Sequence, residues 1–514
     1  MGVDSYYEYY NFDNEDFFTL IIKPEKEGKY PVVVSRSPYV SDAKEKTEDE
    51  LLSRFTEEKC IWAEKNYVFV FQHCRGQGKS TGAFVPYIHE REDGLALLEK
   101  IREQSFYNGE IYLIGASYTA SLHYCVAPFA DDIKGAVFDV QDSERYRLWY
   151  RNGQMRRGHA NWHFSLYKDK CNLNKKHTME SFSQLPINGL SERVLGDRAE
   201  DFEQMLTADC FGNDFWNTRF GGNEARDAVK DANIPVLLTT GYNDFYVGGM
   251  FSMWNEMEIE TKEKSAMIVS PYNHGDSYYK ENGIEFAGAS KKEEFGSDYH
   301  IKWFDCIRKK ETPFVKTGVI TYYRTFEDEW QTDFYSGKIK ETVIPIGNGE
   351  KTLVYEPLNP PSFDAEGMWM KDQSGRSDVV TIYTAPQQND AFVKGKMKAR
   401  LSVSSDCADT SFYIMLGIHT ENGDYSLRHD ITALSRQVGS YKENEKVMLE
   451  FTFDEYAFLI KKGECLRVDI APTDANTYVC HTNQKGQYST IENAKTAHNK
   501  IFLDESCLIL PVEV

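Results

Sequence analysis

Short, almost uninterrupted apolar runs punctuate the first third of the chain. YPVVVSRS (Tyr30–Ser37), YVFVFQH (Tyr67–His73), EIYLIG (Glu110–Gly115) and KGAVFDV (Lys134–Val140) are rich in β-branched and aromatic residues. IPVLLTTG (Ile234–Gly241) and SAMIVSP (Ser265–Pro271) repeat the pattern much later. Strands that are apolar on both sides suit a parallel sheet covered on each face. Helical patterns lie between them. In LLSRFTEEKCIWAEKN, Leu52, Phe55, Cys60, Trp62 and Ala63 fall roughly along one side. In EREDGLALLEKIREQ, Leu95, Leu98 and Ile101 keep helical spacing, with acids early and bases late as the helix dipole favours. Alternating strand and helix predicts an α/β fold.

From about Glu144 to Asn233 the alternation stops. This segment is rich in Arg, Asn, Asp and aromatic residues and reads as helices with no strand. A helical block inserted between two halves of one α/β domain predicts a cap over the C-terminal edge of the sheet, where such folds keep their sites. After about Lys340 the period becomes two. KMKARLSVSS, TSFYIMLGIHT, KVMLEFTF, CLRVDIAP and CLILPVEV alternate apolar with polar residues, with turns such as ENGD and NGE between them. That pattern predicts an antiparallel sandwich, a jelly roll of the galactose-binding-like kind. The expected organisation is an α/β core in two halves, 1–143 and 234–340, a helical cap at 144–233 and an all-β domain at 341–514. No internal repeat and no low-complexity linker interrupts it.

A length of 514 residues agrees with several domains, and 41% hydrophobic with 14% aromatic residues is enough to fill several cores. The formal charge of −21, with no lysine/arginine stripe, argues against nucleic acid as a partner. It also leans toward a neutral or cationic substrate, although solubility explains it more simply. The N-terminus lacks a basic region followed by an apolar core, and no apolar run approaches the roughly 18 residues of a membrane span. The ten cysteines are scattered, with no C-x-x-C pair and no metal-ligand spacing. They read as reduced thiols packed as small hydrophobes in a cytoplasmic protein. Cys74, inside a glycine-rich loop, is the one with a claim to reactivity.

The chemistry centres on YLIGASYTAS (Tyr112–Ser121), an apolar strand, a glycine, a serine among small residues and a helix start. Ser117 is either an N-capping hydroxyl or a nucleophile in a strained elbow. Gly115 and Ala116 permit the sharp turn an exposed nucleophile needs. Asp244, in GYNDFYVGG, follows one late strand; His274, in SPYNHGD, follows the next. Alone, each has an ordinary reading, an Asx turn for Asp244 and a loop histidine for His274. Together they give the chain order Ser, Asp, His at successive strand ends, which α/β-hydrolases use. Rival acids are Asp139 and Asp142; rival bases are His73, His89 and His300. None of those histidines closes a late strand.

GASYTA resembles the G-x-S-Y-x-G elbow of the cocaine-esterase-like and X-prolyl dipeptidyl peptidase family of α/β serine hydrolases. YPVVVSRSPY resembles that family's strand ending in Pro-Tyr, CRGQGKSTG its R-G-x-G-x-S-x-G loop, and EREDGLALLEK its Glu-x-x-Asp-Gly helix. GYNDFYVGG resembles its acid loop and SPYNHGD its base loop, and the family also ends in a jelly-roll domain. The resemblance spans most of the chain. It implies Ser117 as nucleophile, His274 as base, Asp244 as its orienter, and the Tyr39 phenol with the Tyr118 backbone N–H as oxyanion donors. A phenol with pKa near 10 is a neutral donor at pH 7.

Departures mark a divergent branch. Ala120 stands where the family has glycine, Phe106-Tyr107 replaces a tryptophan, His73 replaces an aspartate, and the opening segment lacks the usual aspartate-glycine turn. CRGQGKSTG has the wrong spacing for a phosphate-binding loop and reads as a structural turn, with Arg75 pairing Glu92 or Asp93. Trp149, Tyr150, Trp162, His163 and Phe164 either wall an acyl pocket, with Trp149, Trp162 and Phe164 facing substrate, or pack helix on helix. The arginines of WYRNGQMRRGH either meet a substrate carboxylate or form a solvated or ion-paired face. The resulting expectation is a serine hydrolase acting on an ester or amide of a small molecule or short peptide. It needs no metal or organic cofactor, has no nucleic-acid or membrane partner, and leaves homo-oligomers open. The first alternative is an X-prolyl dipeptidyl aminopeptidase, which needs carboxylates such as Glu144, Asp142 or Asp169 to grip a free amine. The second is a non-catalytic protein that binds through its β-sandwich.

Overall fold

The computed structural model describes residues 2–166, 181–182, 184–218, 231–274, 286, 288–363, 369–486 and 492–514. Its largest sheet has ten strands. They are β1 (Val3–Phe12), β2 (Glu15–Pro24), β3 (Tyr30–Ser37), β4 (Val68–His73), β5 (Tyr107–Ala116) and β6 (Ile133–Asp139), then, beyond a short cap hairpin of β7 (Tyr150–Arg151) and β8 (Gln154–Met155), β9 (Val236–Gly241), β10 (Ala266–Ser270), β11 (Ile320–Arg324) and β12 (Glu329–Asp333). The spatial order is β1-β2-β4-β3-β5-β6-β9-β10-β11-β12. Pairing is parallel from β4 to β11 and antiparallel at the margins, where β2 meets β1 and β4 and where β11 meets β12. The six apolar runs read from sequence all lie in the parallel part, and every residue of β9 and β10 is buried.

Helices cover both faces. Helix α1 (Glu48–Glu64) starts at a capping box between Thr47 and Glu50 and packs Leu51, Phe55, Trp62 and Ala63 against Val33, Phe69 and Ile268. The buried stripe runs through Leu51 rather than Leu52, and Cys60 is only half-buried. On the other face α2 (Glu90–Arg102) packs Leu97, Leu98 and Ile101 against Val32, Val34 and Leu113. Helix α3 (Tyr118–Tyr124) follows β5 at once and fixes the edge on which the site lies.

Two hairpins depart from the sequence reading. The opening β1–β2 hairpin turns at Asp13 and Asn14, both left-handed, with φ of 54° and 58°. Its outer strand β1 is half-exposed along most of its length and lacks an apolar run, whereas β2 is buried from Phe17 to Ile22 like the inner strands and was passed over in the sequence reading. In the cap, read above as strandless, α4 (Arg145–Trp149) leads into the β7–β8 hairpin and then α5 (Arg157–Ser165). Asn152 and Gly153 turn it with φ of 47° and 81°, the Asn-Gly pairing that suits the twist of a two-residue hairpin.

From Ile339 onward the chain builds two antiparallel sheets. One is organised around the 17-residue strand Ala497–Glu513, which pairs with Ile339–Pro345, Glu350–Tyr355 and Lys398–Ser405. The other joins Val380–Tyr383, Cys465–Ala471, Ser411–Thr420 and Gly423–Ala433. Their apolar core is continuous with that of the large sheet: Val34, Leu113 and Leu238 belong to the same cluster as Leu401, Val403, Ile414 and Val468. The β-domain is therefore docked on the α/β core through shared packing. Among the described residues no helix is long and apolar enough to cross a membrane.

Candidate active site

Ser117 is the hinge between β5 and α3. Its backbone sits at φ 56° and ψ −134°, a sparsely populated region that costs an L-residue about 1–3 kcal/mol. Two contacts hold it there. The Ser117 N–H donates to the Asp139 carbonyl of β6 at 2.9 Å, and the Ser117 carbonyl accepts from the Ala120 N–H at 2.9 Å. The hydroxyl makes no capping bond to the helix, so the capping explanation of this serine fails; it lines a cavity instead. Gly115 is what the turn requires, because a Cβ there would lie 2.4 Å from the Thr119 carbonyl oxygen. Ala120, at the family's glycine position, is buried with its methyl in the core and leaves the turn intact.

Asp244 and His274 come from the loops after β9 and β10. The buried Asp244 carboxylate accepts the Tyr246 N–H at 2.8 Å on Oδ1 and faces His274 Nδ1 at 3.0 Å on Oδ2. A carboxylate oxygen only accepts, so the proton sits on Nδ1 and the Nε2 lone pair is free. The imidazole stacks on Phe245 and meets the Tyr246 ring edge-on. Asn243, beside the acid, donates to the Pro271 carbonyl and to the Tyr456 hydroxyl of the β-domain at 3.1 Å. The β-domain thus braces the acid loop.

Tyr39 follows β3. Its phenolic oxygen accepts from Trp162 Nε1 at 3.1 Å and lies in hydrogen-bonding range of the Ser117 hydroxyl and the Tyr118 N–H. Part of the ring is open to the cavity, but the crowding of protein groups around the phenol raises its pKa, and it stays a neutral O–H donor. Tyr118 is clamped from below. Its hydroxyl donates to Glu90 Oε1 at 2.7 Å and accepts the Tyr87 N–H at 2.8 Å, while Arg36 holds the other Glu90 oxygen at 3.2 Å. Burial alone would push the Glu90 carboxyl up strongly; Arg36 and Tyr118 offset part of that.

These residues meet in one cavity of about 740 Å³. The core contributes Ser117, His274 and Tyr39, the cap contributes Arg156, His159 and Trp162, and the β-domain contributes His429, Asn476 and Thr477. Of the three cap aromatics expected at substrate, only Trp162 lines it. Trp149 and Phe164 are a correction: both are fully buried inside the cap, Trp149 against His159, His163 and Phe202, and Phe164 at 4.2 Å from the Phe202 ring centre. Large rings from neighbouring helices fill each other's gaps before they reach solvent.

The rivals lie elsewhere. Asp139 pairs with His300 at 3.1 Å, away from the cavity lining. Asp142 is buried, accepts the Glu144 N–H and faces Arg147. His73 is buried beneath the glycine loop, where the Lys79 N–H donates to it. That loop is a structural turn: Gly76, Gly78 and Gly82 are all left-handed, and Arg75 bonds Asp93. Cys74 is buried and its thiol pKa is raised by burial, so it is not a reactive thiolate. Glu144 caps α4 through the Tyr146 N–H, and Asp169 lies outside the described residues. Among the described residues that line the cavity there is no carboxylate.

Residues 17–276 match the family described as X-Pro dipeptidyl-peptidase (S15 family), and residues 318–507 match the X-Pro dipeptidyl-peptidase C-terminal non-catalytic domain. The chain belongs to the S15 hydrolase family. Like the esterase and peptidase branches of that family, it is a serine hydrolase, not a binding protein without catalysis. Cocaine esterase of Rhodococcus sp. (strain MB1 Bresler) is 22% identical, over 96% of this chain and 95% of its own length. Among solved structures, an α-amino acid ester hydrolase superposes with a TM-score of 0.81 at 16% identity, covering 99% of this chain and 97% of its own. An aminopeptidase from a marine sediment Thaumarchaeota archaeon gives 0.77 at 14% identity, covering 100% and 97%. These structural neighbours share the fold of this chain, an α/β-hydrolase core with a C-terminal β-domain.

Sequence reasoning missed what the β-domain brings to this cavity. Asn476 and Thr477 sit in a loop of undistinguished composition, and nothing local in that loop marks it as reaching a serine 359 positions earlier.

Proposed function

We propose that Ser117 is the nucleophile of an esterase- or acylase-type hydrolase, with His274 as base and Asp244 as orienter. His274 Nε2 takes the Ser117 proton as Oγ bonds to the substrate carbonyl carbon. The carbonyl oxygen becomes an oxyanion between the Tyr39 O–H and the Tyr118 N–H, two donors that lie within hydrogen-bonding range of each other. The tetrahedral adduct collapses, the C–O or C–N bond breaks, and His274 returns the proton to the leaving group. Water then repeats the sequence on the acyl-enzyme and frees the acid. The observation that carries this reading is the hydrogen bond between the buried Asp244 and His274 Nδ1, in a cavity that also receives the strained Ser117.

The acyl or ester substrate is preferred over the X-Pro dipeptide because that dipeptide's free amine would want an anionic partner, and the described cavity lining holds an arginine instead. The S15 description keeps the peptidase as the second reading. The paired antiparallel sheets support a jelly roll for the β-domain. The nine described cysteines are free, which supports a reducing compartment, the cytoplasm. A fluorophosphonate probe that labels the wild type and not Ser117→Ala tests the nucleophile. p-Nitrophenyl esters beside Gly-Pro and Ala-Pro anilides then separate the two activities; turnover of the anilides alone would overturn the preference.

A further inference from the structure

Four arginines crowd the cap segment Arg147–Arg157, and three of them are engaged. Arg147 faces Asp142 at 3.4 Å; Arg151 bonds Asp430 at 2.7 Å and Asp454 at 3.0 Å; Arg157 donates to the Ala475 carbonyl. Arg156 is different. Among the described residues its side chain has neither an ion pair nor a hydrogen bond, and its Nε is sealed from water without a partner. It lines the same cavity as Ser117 and His274, and it is the one arginine or lysine among the described lining residues.

Its place is fixed. The Arg156 N–H donates to the Trp149 carbonyl at 2.7 Å, the Arg157 N–H donates to the Thr477 carbonyl at 2.9 Å, and the segment forms a β-bridge to Tyr478. The flanking imidazoles of His159 and His429 are held neutral by burial, so they neither repel nor replace it. The carboxylates of the adjoining cleft are already engaged, Asp454 with Arg151, which also bonds Asp430, and Asp244 with His274. Asp454 feels the Arg156 charge across a shared cleft but makes its direct contact with Arg151, so a ligand that supplies a directly paired anion compensates the partial desolvation of the Arg156 guanidinium.

We propose that Arg156, flanked by Asn476 and Thr477 of the β-domain, binds a carboxylate of the substrate, so that the preferred esters or amides carry a free carboxylate remote from the scissile bond. The inference rests on Ser117 being the nucleophile of this cavity. It runs against the lean toward neutral or cationic substrates drawn from the net charge, because the field inside a pocket is set largely by its own lining. Planar, bidentate pairing with a carboxylate is what a guanidinium does best.

Two substrate pairs test it and locate the carboxylate. Mono-p-nitrophenyl glutarate against p-nitrophenyl butyrate places it on the acyl side; 4-(butyryloxy)benzoate against phenyl butyrate places it on the leaving side. In at least one pair the kcat/KM ratio of charged to neutral ester should fall about 10- to 100-fold in Arg156→Met and be partly kept in Arg156→Lys. Ratios unchanged in both pairs, including a parallel fall on all four esters, overturn the proposal. Calorimetric titration with monobenzyl glutarate and with 4-(butyryloxy)benzoate gives a readout free of turnover: Ser117→Ala should bind at least one of them, and Ser117→Ala/Arg156→Met should bind neither. Equal binding by the two variants overturns the inference. Absence of fluorophosphonate labelling at Ser117 counts against the hydrolase assignment alone.

Discussion

Replacing Gly115 with alanine probes the elbow most directly. A Cβ at that position lies 2.4 Å from the Thr119 carbonyl oxygen, 2.5 Å from its carbon and 2.6 Å from the Ala120 nitrogen. All three are backbone atoms, and ordinary contact begins at 3.4 Å. The first turn of α3 must therefore draw back from β5 by about 1 Å. That turn cannot move freely, because Tyr118 is bonded to Glu90 and Ala120 is packed in the core. The shift falls on Ser117 and on the Tyr118 N–H. A displacement of about 1 Å in a reacting group costs about 10²-fold in rate, and overpacking costs about 1–3 kcal/mol in stability. Gly115→Ala should lower kcat/KM for p-nitrophenyl butyrate and the rate of fluorophosphonate labelling by about 10²-fold, with a modest loss in Tm and a native circular dichroism spectrum. Ala120→Gly is the control; it relieves no clash, costs about 1 kcal/mol in helix stability and should label at a near-normal rate. Labelling of Gly115→Ala within about threefold of wild type, at unchanged Tm, would refute the steric account of the elbow.

Tyr39→Phe keeps the ring and deletes the phenolic donor, so kcat should fall about 10²–10³-fold with little change in stability; steady-state kinetics that leave kcat intact would remove Tyr39 from the oxyanion site. Trp149→Ala should behave as a core cavity, losing about 3–5 kcal/mol in denaturant titration, whereas Trp162→Ala should chiefly change KM across a series of acyl lengths. The reverse assignment would restore Trp149 to the pocket. Glu455 supplies a pH signature. Burial, against partial compensation by Lys396 at 3.5 Å, pushes its carboxyl from 4.5 up to about 7. The folded state keeps a proton that the unfolded chain releases, so this group's contribution to stability declines as pH rises from about 4.5 to about 7. Glu455→Gln removes the decline, and its Tm gain over wild type should be larger at about pH 8 than at about pH 5; an equal gain at both would contradict the burial argument.

The sequence by itself determined the inner strands, the elbow and the order of Ser117, Asp244 and His274, since each depends on local patterning: an apolar run buried on two faces, a small-residue turn, a loop just past a strand. It also carried the resemblance that names the family. The edge strands β1 and β12 escaped, because a half-exposed strand at an edge is defined by its neighbour rather than by its own residues, while the buried strands β2 and β11 were passed over. The Asn152-Gly153 hairpin was written in the chain and overlooked amid charged and aromatic side chains. What only the tertiary structure decided is which side chains face the substrate. Trp149 and Trp162 stand in the same aromatic run, yet one fills the cap and the other lines the cavity, and the four arginines of that segment differ in which partner reaches them, Asp142 for Arg147 and distant groups of the β-domain for Arg151 and Arg157. Packing and ion pairing are properties of pairs of residues far apart in sequence, so they are settled only when the cap, the core and the β-domain close on one another.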